Sequence, residues 1–144
     1  MRGTTRDEGR RAAIEATGAE CYVGDPDRIG TLTYALDNAT ILCWLLGSAT
    51  GDAERVAALH GTRLQMLLER TIDTTVRGVV YEAAGTVDVA VLAAGAERVR
   101  AACAYSEIPF RVVKADPSGH DEWLGAMASA VQGLLYTQEI PQRH

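Results

Sequence analysis

The sequence predicts an α/β domain, a parallel sheet with helices on both faces. Short apolar runs of strand length alternate about five times with segments of helical periodicity. The connections between these segments are short, as they are in α/β units. The runs "ATILCWLLG" and "VRGVVYEA" are apolar almost throughout rather than alternating, which is typical of strands buried on both faces of a parallel sheet.

Length and charge limit the class of protein. The 144 residues favour a single domain, 1–144, and we expect residues 1–136 to form its ordered core and 137–144 a loose tail. The net charge of −5 argues against a nucleic-acid-binding protein. No apolar run approaches the ~20 residues of a membrane helix, and no signal peptide opens the chain. We therefore expect a cytoplasmic protein with no membrane partner.

The N-terminal third begins with a strand that ends near Arg6. Asp7 is positioned to cap a helix with apolar positions at Ala12, Ala13 and Ala16, and Gly18 suits the end of that helix. The next strand, "AECYVGD", ends at Asp25. Because Asp25 precedes proline, it predicts a second helix start. The apolar positions of that helix recur on one face: Ile29, Leu32 and Leu36.

The remaining elements repeat the alternation. Asp52 predicts the start of one long helix, whose apolar side comprises Val56, Leu59, Leu64, Leu67 and Leu68. The strand in "VRGVVYEA" precedes a helix with an apolar face at Val89, Leu92, Ala96, Val99 and Cys103. The last strand, "FRVVKA", leads into a helix with apolar positions at Trp123, Leu124, Met127, Val131 and Leu135.

Ligands of such sheets bind beyond the carboxyl ends of the strands. These ends are expected at Thr4–Arg6, Gly24–Asp25, Leu46–Ser48, Glu82–Gly85 and Ala115–Asp116.

The order of the segments resembles a known family. The stretch from "RGTTRD" through "GAECYVGD" to "ATILCWLLG" is similar to the second to fourth strands of NAD(P)-binding Rossmann domains, most of all the atypical or extended (NmrA-like) short-chain dehydrogenases. Downstream, "RGVVYEAAG" resembles their fifth strand and "AERVRAACAYSEIPFRVVKADP" the helix and strand that follow. The resemblance covers residues 2 to 116.

The resemblance implies four cofactor-binding residues. Arg6 stands where the family often places a basic residue against the 2′-phosphate of NADP; the alternative is a solvated arginine near a helix start. Asp25 matches an aspartate that accepts a hydrogen bond from the adenine amino group; the alternative is a helix cap. Gly47 and Ser48 match the end of the fourth strand, which lines the cofactor cleft; the alternative is a turn that needs glycine.

Two features of the family are absent from the sequence. No two of the fourteen glycines are two or three residues apart, so neither G-x-G-x-x-G nor G-x-x-G-x-x-G occurs. The resemblance begins at the family's second strand, and we expect a Rossmann domain without the first strand and the Gly-rich turn. None of the five tyrosines has lysine four residues later, so the catalytic Tyr-x-x-x-Lys is missing too.

The cysteines and histidines indicate no further chemistry. The three cysteines, Cys21, Cys43 and Cys103, are far apart among apolar residues, which favours buried thiols over reactive or bridged ones. His60 is expected to be structural. His120 lies beside two acidic residues, but a helix N-terminus explains this pattern better than a metal site.

Two functions are compatible with these observations. The first is a Rossmann-like module that binds NAD or NADP weakly or not at all, lacks dehydrogenase catalysis and acts in nucleotide binding or interaction. The second is an NAD(P)-dependent oxidoreductase or epimerase whose first strand is missing from this chain. In either case we expect a homo-oligomer, because unpaired apolar strand edges favour association, with the long helix from Val56 to Leu68 as a second association surface. The alternative is a compact monomer with a rearranged sheet.

Overall fold

The structure, a computed structural model, describes residues 1–139, with the side chains of residues 1–136. The strands are β1 (Arg2–Thr5), β2 (Glu20–Val23), β3 (Ile41–Trp44), β4 (Gly78–Glu82) and β5 (Phe110–Val113). The helices are α1 (Arg11–Glu15), α2 (Thr33–Leu36), α3 (Ala53–Leu59), α4 (Thr62–Thr71), α5 (Val89–Ser106) and α6 (His120–Glu139). Short 3₁₀ helices, Glu8–Arg10 and Ile29–Leu32, precede α1 and α2. The predicted alternation of five strands with helices is confirmed.

All strand pairs are parallel, but the strands form two sheets. β1 pairs with β2, while β4 lies between β3 and β5 in a three-stranded sheet. In the part of the chain that the structure describes, β1 and β3 each keep one edge without a strand partner. The single parallel sheet that the alternation suggests is therefore divided between β1 and β3.

Helices cover both faces of the three-stranded sheet, as predicted. Val79 and Tyr81 of β4 belong to the core cluster that contains the buried residues of α4 and α5. Val80 belongs instead to the cluster formed with α6. All five residues of β4 are buried, which explains why the strand is almost wholly apolar and ends in a single charged residue, Glu82. The arrangement is the three-layer architecture of a Rossmann-like domain.

The long helix predicted from Val56 to Leu68 is two helices. α3 ends at Leu59 and α4 begins at Thr62, because Gly61 has a non-helical backbone (φ −119°, ψ −105°). Its predicted apolar side is otherwise right: Leu59, Leu64, Leu67 and Leu68 are buried. Since these leucines pack inside the domain, they are not available as an association surface.

The helix starts predicted at Asp7 and Asp52 are confirmed, and the structure adds a third aspartate N-cap, Asp88 of α5. The carboxylates of Asp7, Asp52 and Asp88 accept hydrogen bonds from amides two residues ahead, at 2.8–2.9 Å. The start predicted at Asp25-Pro26 is wrong. These residues form a turn, and helical structure begins at Ile29, because the Asp25 carboxylate closes the turn instead of capping a helix.

Several side chains differ from their predicted burial. Ala12, Ala13 and Ala16 are exposed, because α1 is short and buries no residue. Val89 is 80% exposed, since it lies at the first position of α5, beyond the packed part of the sheet. On α6 the buried residues are Met127, Ala130 and Leu134, whereas Leu124 and Leu135 lie on the exposed side.

Cys21 and Cys103 are buried as predicted, and burial raises the pKa of the Cys103 thiol to about 11. Cys43 is exposed: it lies on the same face of the sheet as Val80, but it is not among the residues that pack against α6. At the C-terminal end, α6 continues to Glu139 instead of ending at residue 136, and residues 140–144 lie outside the described part. Among the helices of residues 1–139, none is long and apolar enough to cross a membrane.

Candidate functional site

Arg6 and Asp25 follow neighbouring parallel strands. β1 and β2 are in register from Arg2–Glu20 to Thr5–Val23, and the Gly24 amide donates to the Thr5 carbonyl at 2.8 Å. By continuation of this register Arg6 lies next to Gly24, and Asp25 follows one residue further on, at the carboxyl edge of this sheet. The Arg6 side chain is exposed, which leaves its guanidinium accessible to a phosphate.

Asp25 stabilises a turn at this edge through its own hydrogen bonds. One carboxylate oxygen, Oδ1, accepts from the Asp27 amide at 2.9 Å, and the Asp25 amide donates to the Thr31 hydroxyl at 2.7 Å. These bonds hold the turn that leads into α2. No donor in the described part of the chain hydrogen-bonds Oδ2, so one carboxylate oxygen stays available to a ligand.

Gly47 and Ser48 follow β3 and pack against the loop after β4. The Val87 amide donates to the Gly47 carbonyl at 3.0 Å, and the Thr86 amide lies 3.4 Å from the Ser48 hydroxyl. A Cβ atom on Gly47 would overlap the carbonyl oxygen of Ala84. Glycine is thus required at residue 47 by the packing of two loops, while the exposed Ser48 presents a hydroxyl to solvent.

An ion pair joins these two parts of the edge. The Arg55 guanidinium of α3 donates to the Asp27 carboxylate at 2.6 Å and also to the Thr50 carbonyl at 3.2 Å. Arg63 of α4 lies 3.7 Å from the same carboxylate. Asp27 belongs to the turn closed by Asp25, and Thr50 to the loop that begins at Gly47. The four sequence-predicted residues therefore lie at the carboxyl ends of strands from two sheets, in two groups that the Asp27–Arg55 ion pair connects.

A buried carboxylate lies beneath the loop at Gly47. Glu82, the last residue of β4, is 3% exposed. Its Oε1 accepts from the Gly47 amide at 2.9 Å, and its Oε2 accepts from the Trp123 indole N–H at 2.6 Å. Since the Gly47 amide is engaged by Glu82, it is not free to donate to a phosphate.

His60 and Tyr81 form a second buried polar pair. His60 Nε2 lies 2.9 Å from the Leu46 carbonyl oxygen, which can only accept, so Nε2 carries the hydrogen. Nδ1 then accepts from the Tyr81 hydroxyl at 2.6 Å. Burial lowers the pKa of His60, and burial together with the Glu82 charge raises the pKa of Tyr81 well above its ordinary range. Tyr81 therefore keeps its proton near neutral pH.

Gly95 of α5 makes this pair possible, because a Cβ atom there would overlap the Tyr81 hydroxyl. His60 thus has the structural role that the sequence predicts. His120 stacks on Trp123, with ring centroids 6.4 Å apart. Within the described residues, no group of three or more His, Cys, Asp or Glu side chains is arranged to hold a metal ion.

Glu82, Asp27, Arg55 and Trp123 were not identified from the sequence. Glu82 had a recognisable signal, a charged residue at the end of a strand that is otherwise wholly buried. Asp27 and Arg55 form an ion pair although they are 28 residues apart, and no local pattern connects them.

Comparison with solved structures shows the same fold. Two structures of Citrobacter sp. triphenylmethane reductase, one of them complexed with NADP(H), are similar to this chain with a TM-score of 0.57 and 15% sequence identity. The alignments cover 78% of this chain but only 39% and 38% of the reductase chains, so the chain spans less than half their length. This similarity shows a Rossmann-like α/β fold. No family model and no curated protein matches the sequence.

Proposed function

We propose that this chain is a Rossmann-type module that binds NADP or NAD weakly at the carboxyl edge of its strands and does not itself catalyse a dehydrogenase reaction. The observation that carries the proposal is the Asp27–Arg55 ion pair, because it joins the turn of Asp25 to the loop of Gly47 and Ser48. Ligands of this class of fold bind at this edge. The NADP(H) complex of the structurally similar reductase supports the same class of ligand.

The residues present fit part of a dinucleotide. The exposed Arg6 guanidinium suits a 2′-phosphate, the unengaged Oδ2 of Asp25 suits the adenine amino group, and the Ser48 hydroxyl suits a ribose oxygen. The Gly47 amide cannot donate a hydrogen bond to the pyrophosphate, because it already donates to the Glu82 carboxylate. Without a Gly-rich turn among these 144 residues, we expect the affinity to be weak.

The chain offers no pair for proton and hydride chemistry of the short-chain dehydrogenase type. Its one lysine is Lys114, four residues after none of the tyrosines. Tyr81, the penultimate residue of β4, donates to His60 inside the core and keeps its proton. The alternative function is an oxidoreductase or epimerase in which residues outside this chain supply the first strand and the catalytic pair.

A titration followed by ¹H–¹⁵N NMR tests the binding proposal. Adding NADP⁺ should shift the amide signals of Arg6, Asp25 and Ser48 without reaching saturation at micromolar concentrations. Arg6→Ala should weaken NADP⁺ binding more than NAD⁺ binding. Arg70→Ala, which removes an exposed arginine from the end of α4, is the matched control and should change neither.

Three results would contradict the proposal. Signals that stay unchanged at millimolar NADP⁺ would exclude a nucleotide module, and shifts confined to another surface would place binding elsewhere. Micromolar affinity together with hydride transfer from NADPH to a carbonyl substrate would instead favour the oxidoreductase.

Self-association is part of the same proposal. The exposed apolar residues Ile72 (53%) and Tyr105 (89%) line a groove between α4 and α5, which also carries Glu69 and Arg98. A surface with both charge signs can pair with its own copy across a two-fold axis, so we propose a homodimer through this groove. We also propose a cytoplasmic location, because all three cysteines are unpaired.

Light scattering tests the dimer. Tyr105→Ser should give a monomer, whereas Tyr34→Ser, which changes an equally prominent exposed tyrosine on α2, should leave the dimer intact. A monodisperse monomer of the unchanged protein at high micromolar concentration would refute self-association.

A further inference from the structure

Glu82 is unusual among the acidic residues of this chain. Within residues 1–136 it is the one acidic side chain that is buried, at 3% exposure, and every other buried residue of β4 is apolar or a tyrosine. Transferring a carboxylate from water into a protein interior is costly unless donors replace the lost water. The Glu82 carboxylate, buried at the carboxyl edge of the sheet, therefore needs hydrogen-bond donors for both of its oxygens.

The two oxygens hold two different elements. Oε1 accepts from the backbone amide of Gly47, in the loop after β3, and Oε2 accepts from the indole N–H of Trp123, in the first turn of α6. The residues are separated from Glu82 by 35 and 41 positions. Hydrogen bonds to a charged acceptor are about twice as strong as neutral ones. A single side chain thus fixes a loop and a helix against the end of the central strand.

The loop fixed in this way is the one that carries Ser48. The loop after β4 contacts it on one side: the Val87 amide donates to the Gly47 carbonyl and the Thr86 amide lies next to the Ser48 hydroxyl. The end of β4 contacts it as well, because the Glu82 carboxylate accepts from the Gly47 amide. Glycine at residues 47 and 85 lets the two loops meet backbone to backbone, since a Cβ atom on either would overlap the other loop. The direction of the Ser48 hydroxyl is set from both sides.

We propose that Glu82 is a positioning residue for the nucleotide-facing loop: it does not touch the ligand, but orients Ser48 by holding the Gly47 amide. The inference rests on the proposed nucleotide site. A carboxylate suits this task because both of its partners are donors. Glutamine at residue 82 has one acceptor oxygen and presents an NH₂ group to the second donor, so it cannot satisfy both.

The test compares Glu82→Gln with Trp123→Phe in the full chain. Glu82→Gln should shift the amide signals of Gly47, Ser48 and Thr86 and weaken NADP⁺ binding about tenfold, the size of one charge-assisted hydrogen bond. Trp123→Phe removes the other donor and leaves the Gly47–Glu82 bond. It should leave the Ser48 and Thr86 signals in place and change binding less than about twofold.

Hydrogen exchange in the unmodified protein keeps the proposal testable if Glu82→Gln does not fold. The Gly47 amide should exchange as slowly as the amides of β4, because a buried carboxylate accepts from it. Exchange at the rate of an open loop amide would overturn the proposal, whatever the variant does.

The outcomes separate this inference from the proposed function. If Glu82→Gln lowers only the melting temperature, with Ser48 and Thr86 signals and NADP⁺ affinity unchanged, Glu82 is merely structural and the inference is wrong. If the unmodified protein binds no nucleotide, the proposed function fails. The exchange of Gly47 and the shifts of Ser48 and Thr86 would still report whether Glu82 orients the loop.

Discussion

Residues 1–38 and residues 39–136 build parallel strands in different surroundings. In the second region β4 has a strand on each side and helices on both faces, and all of its residues are buried. In the first region β1 pairs with one strand, and α1 buries no residue. The apolar face of the segment 29–36 in this first region, which comprises Ile29, Leu32 and Leu36, packs into the core formed by α4, α5 and β4.

The difference shows what makes a pair of strands stable. Two parallel strands with one short helix remove little apolar surface from water, and most folding free energy comes from that removal. The first region therefore depends on the core of the second. We expect β1 and β2 amides to exchange through openings of lower free energy than β4 amides.

The largest expected effect tests the packing at the carboxyl edge. Gly47→Ala should destabilise the protein by about 3 kcal/mol, because its Cβ would overlap the backbone carbonyl of Ala84. The matched change in the first region, Gly30→Ala, meets no atom within 4 Å and should cost less than about 0.5 kcal/mol. Urea denaturation measures the loss of stability in both variants, and equal losses would contradict the expected difference in packing between residues 47 and 30.

A pair of valines compares the two regions directly. Val80→Ala in β4 removes two methyl groups from a side chain with 0% exposure and should cost about 2–3 kcal/mol. Val23→Ala in β2 removes them from a side chain that is 41% exposed and should cost less than about 0.5 kcal/mol. If thermal unfolding shows the larger loss for Val23, the first region has a core of its own.

A smaller effect is expected where an ion pair joins the regions. Asp27→Asn breaks the contact with Arg55, whose side chain is 28% exposed, and should cost about 1 kcal/mol. Hydrogen exchange should speed up in β1 and β2 and stay unchanged in β4. Glu97→Gln, which breaks an exposed pair within α5, is the control and should affect neither region.

The smallest effect depends on pH and is confined to the second region. Burial lowers the pKa of His60 in the folded protein below the unfolded value of about 6.5. The unfolded chain therefore binds more protons as the pH falls below about 6.5, so this contribution to stability is complete above that pH and is lost below it. His60→Gln should flatten the decline between about pH 7 and pH 5, whereas His120→Gln should not. Identical slopes in all three proteins would refute the assignment.

The sequence predicts the elements of this fold better than their junctions. Asp7 and Asp52 lie at the predicted helix starts because capping is a local interaction that a carboxylate makes with amides two residues away. Asp25 follows the same pattern but closes a turn, since Thr31 engages its backbone from six residues away. One periodic segment is divided into two helices because Gly61 adopts a non-helical backbone, which the apolar periodicity does not reveal.

In the candidate site too, the sequence predicts the positions of the residues better than their contacts. Arg6, Asp25, Gly47 and Ser48 were predicted together, because the carboxyl ends of parallel strands share an edge and the resemblance marks those positions. Their use as ligand contacts stays a prediction. Which atoms remain free at that edge depends on partners far along the chain: Glu82 engages the Gly47 amide, and Asp27 engages Arg55.

The sequence by itself determined the α/β class, the strand-helix order and the apolar faces of α4 and of the helical segment 29–36, because periodicity and capping act within a few residues. Only the tertiary structure decided that the strands divide into two sheets, that Cys43 is exposed and that Glu82 is buried. Each of these depends on which neighbour lies beside a strand edge or above a side chain. That neighbour is chosen by packing between residues far apart in the chain, and no local pattern encodes it.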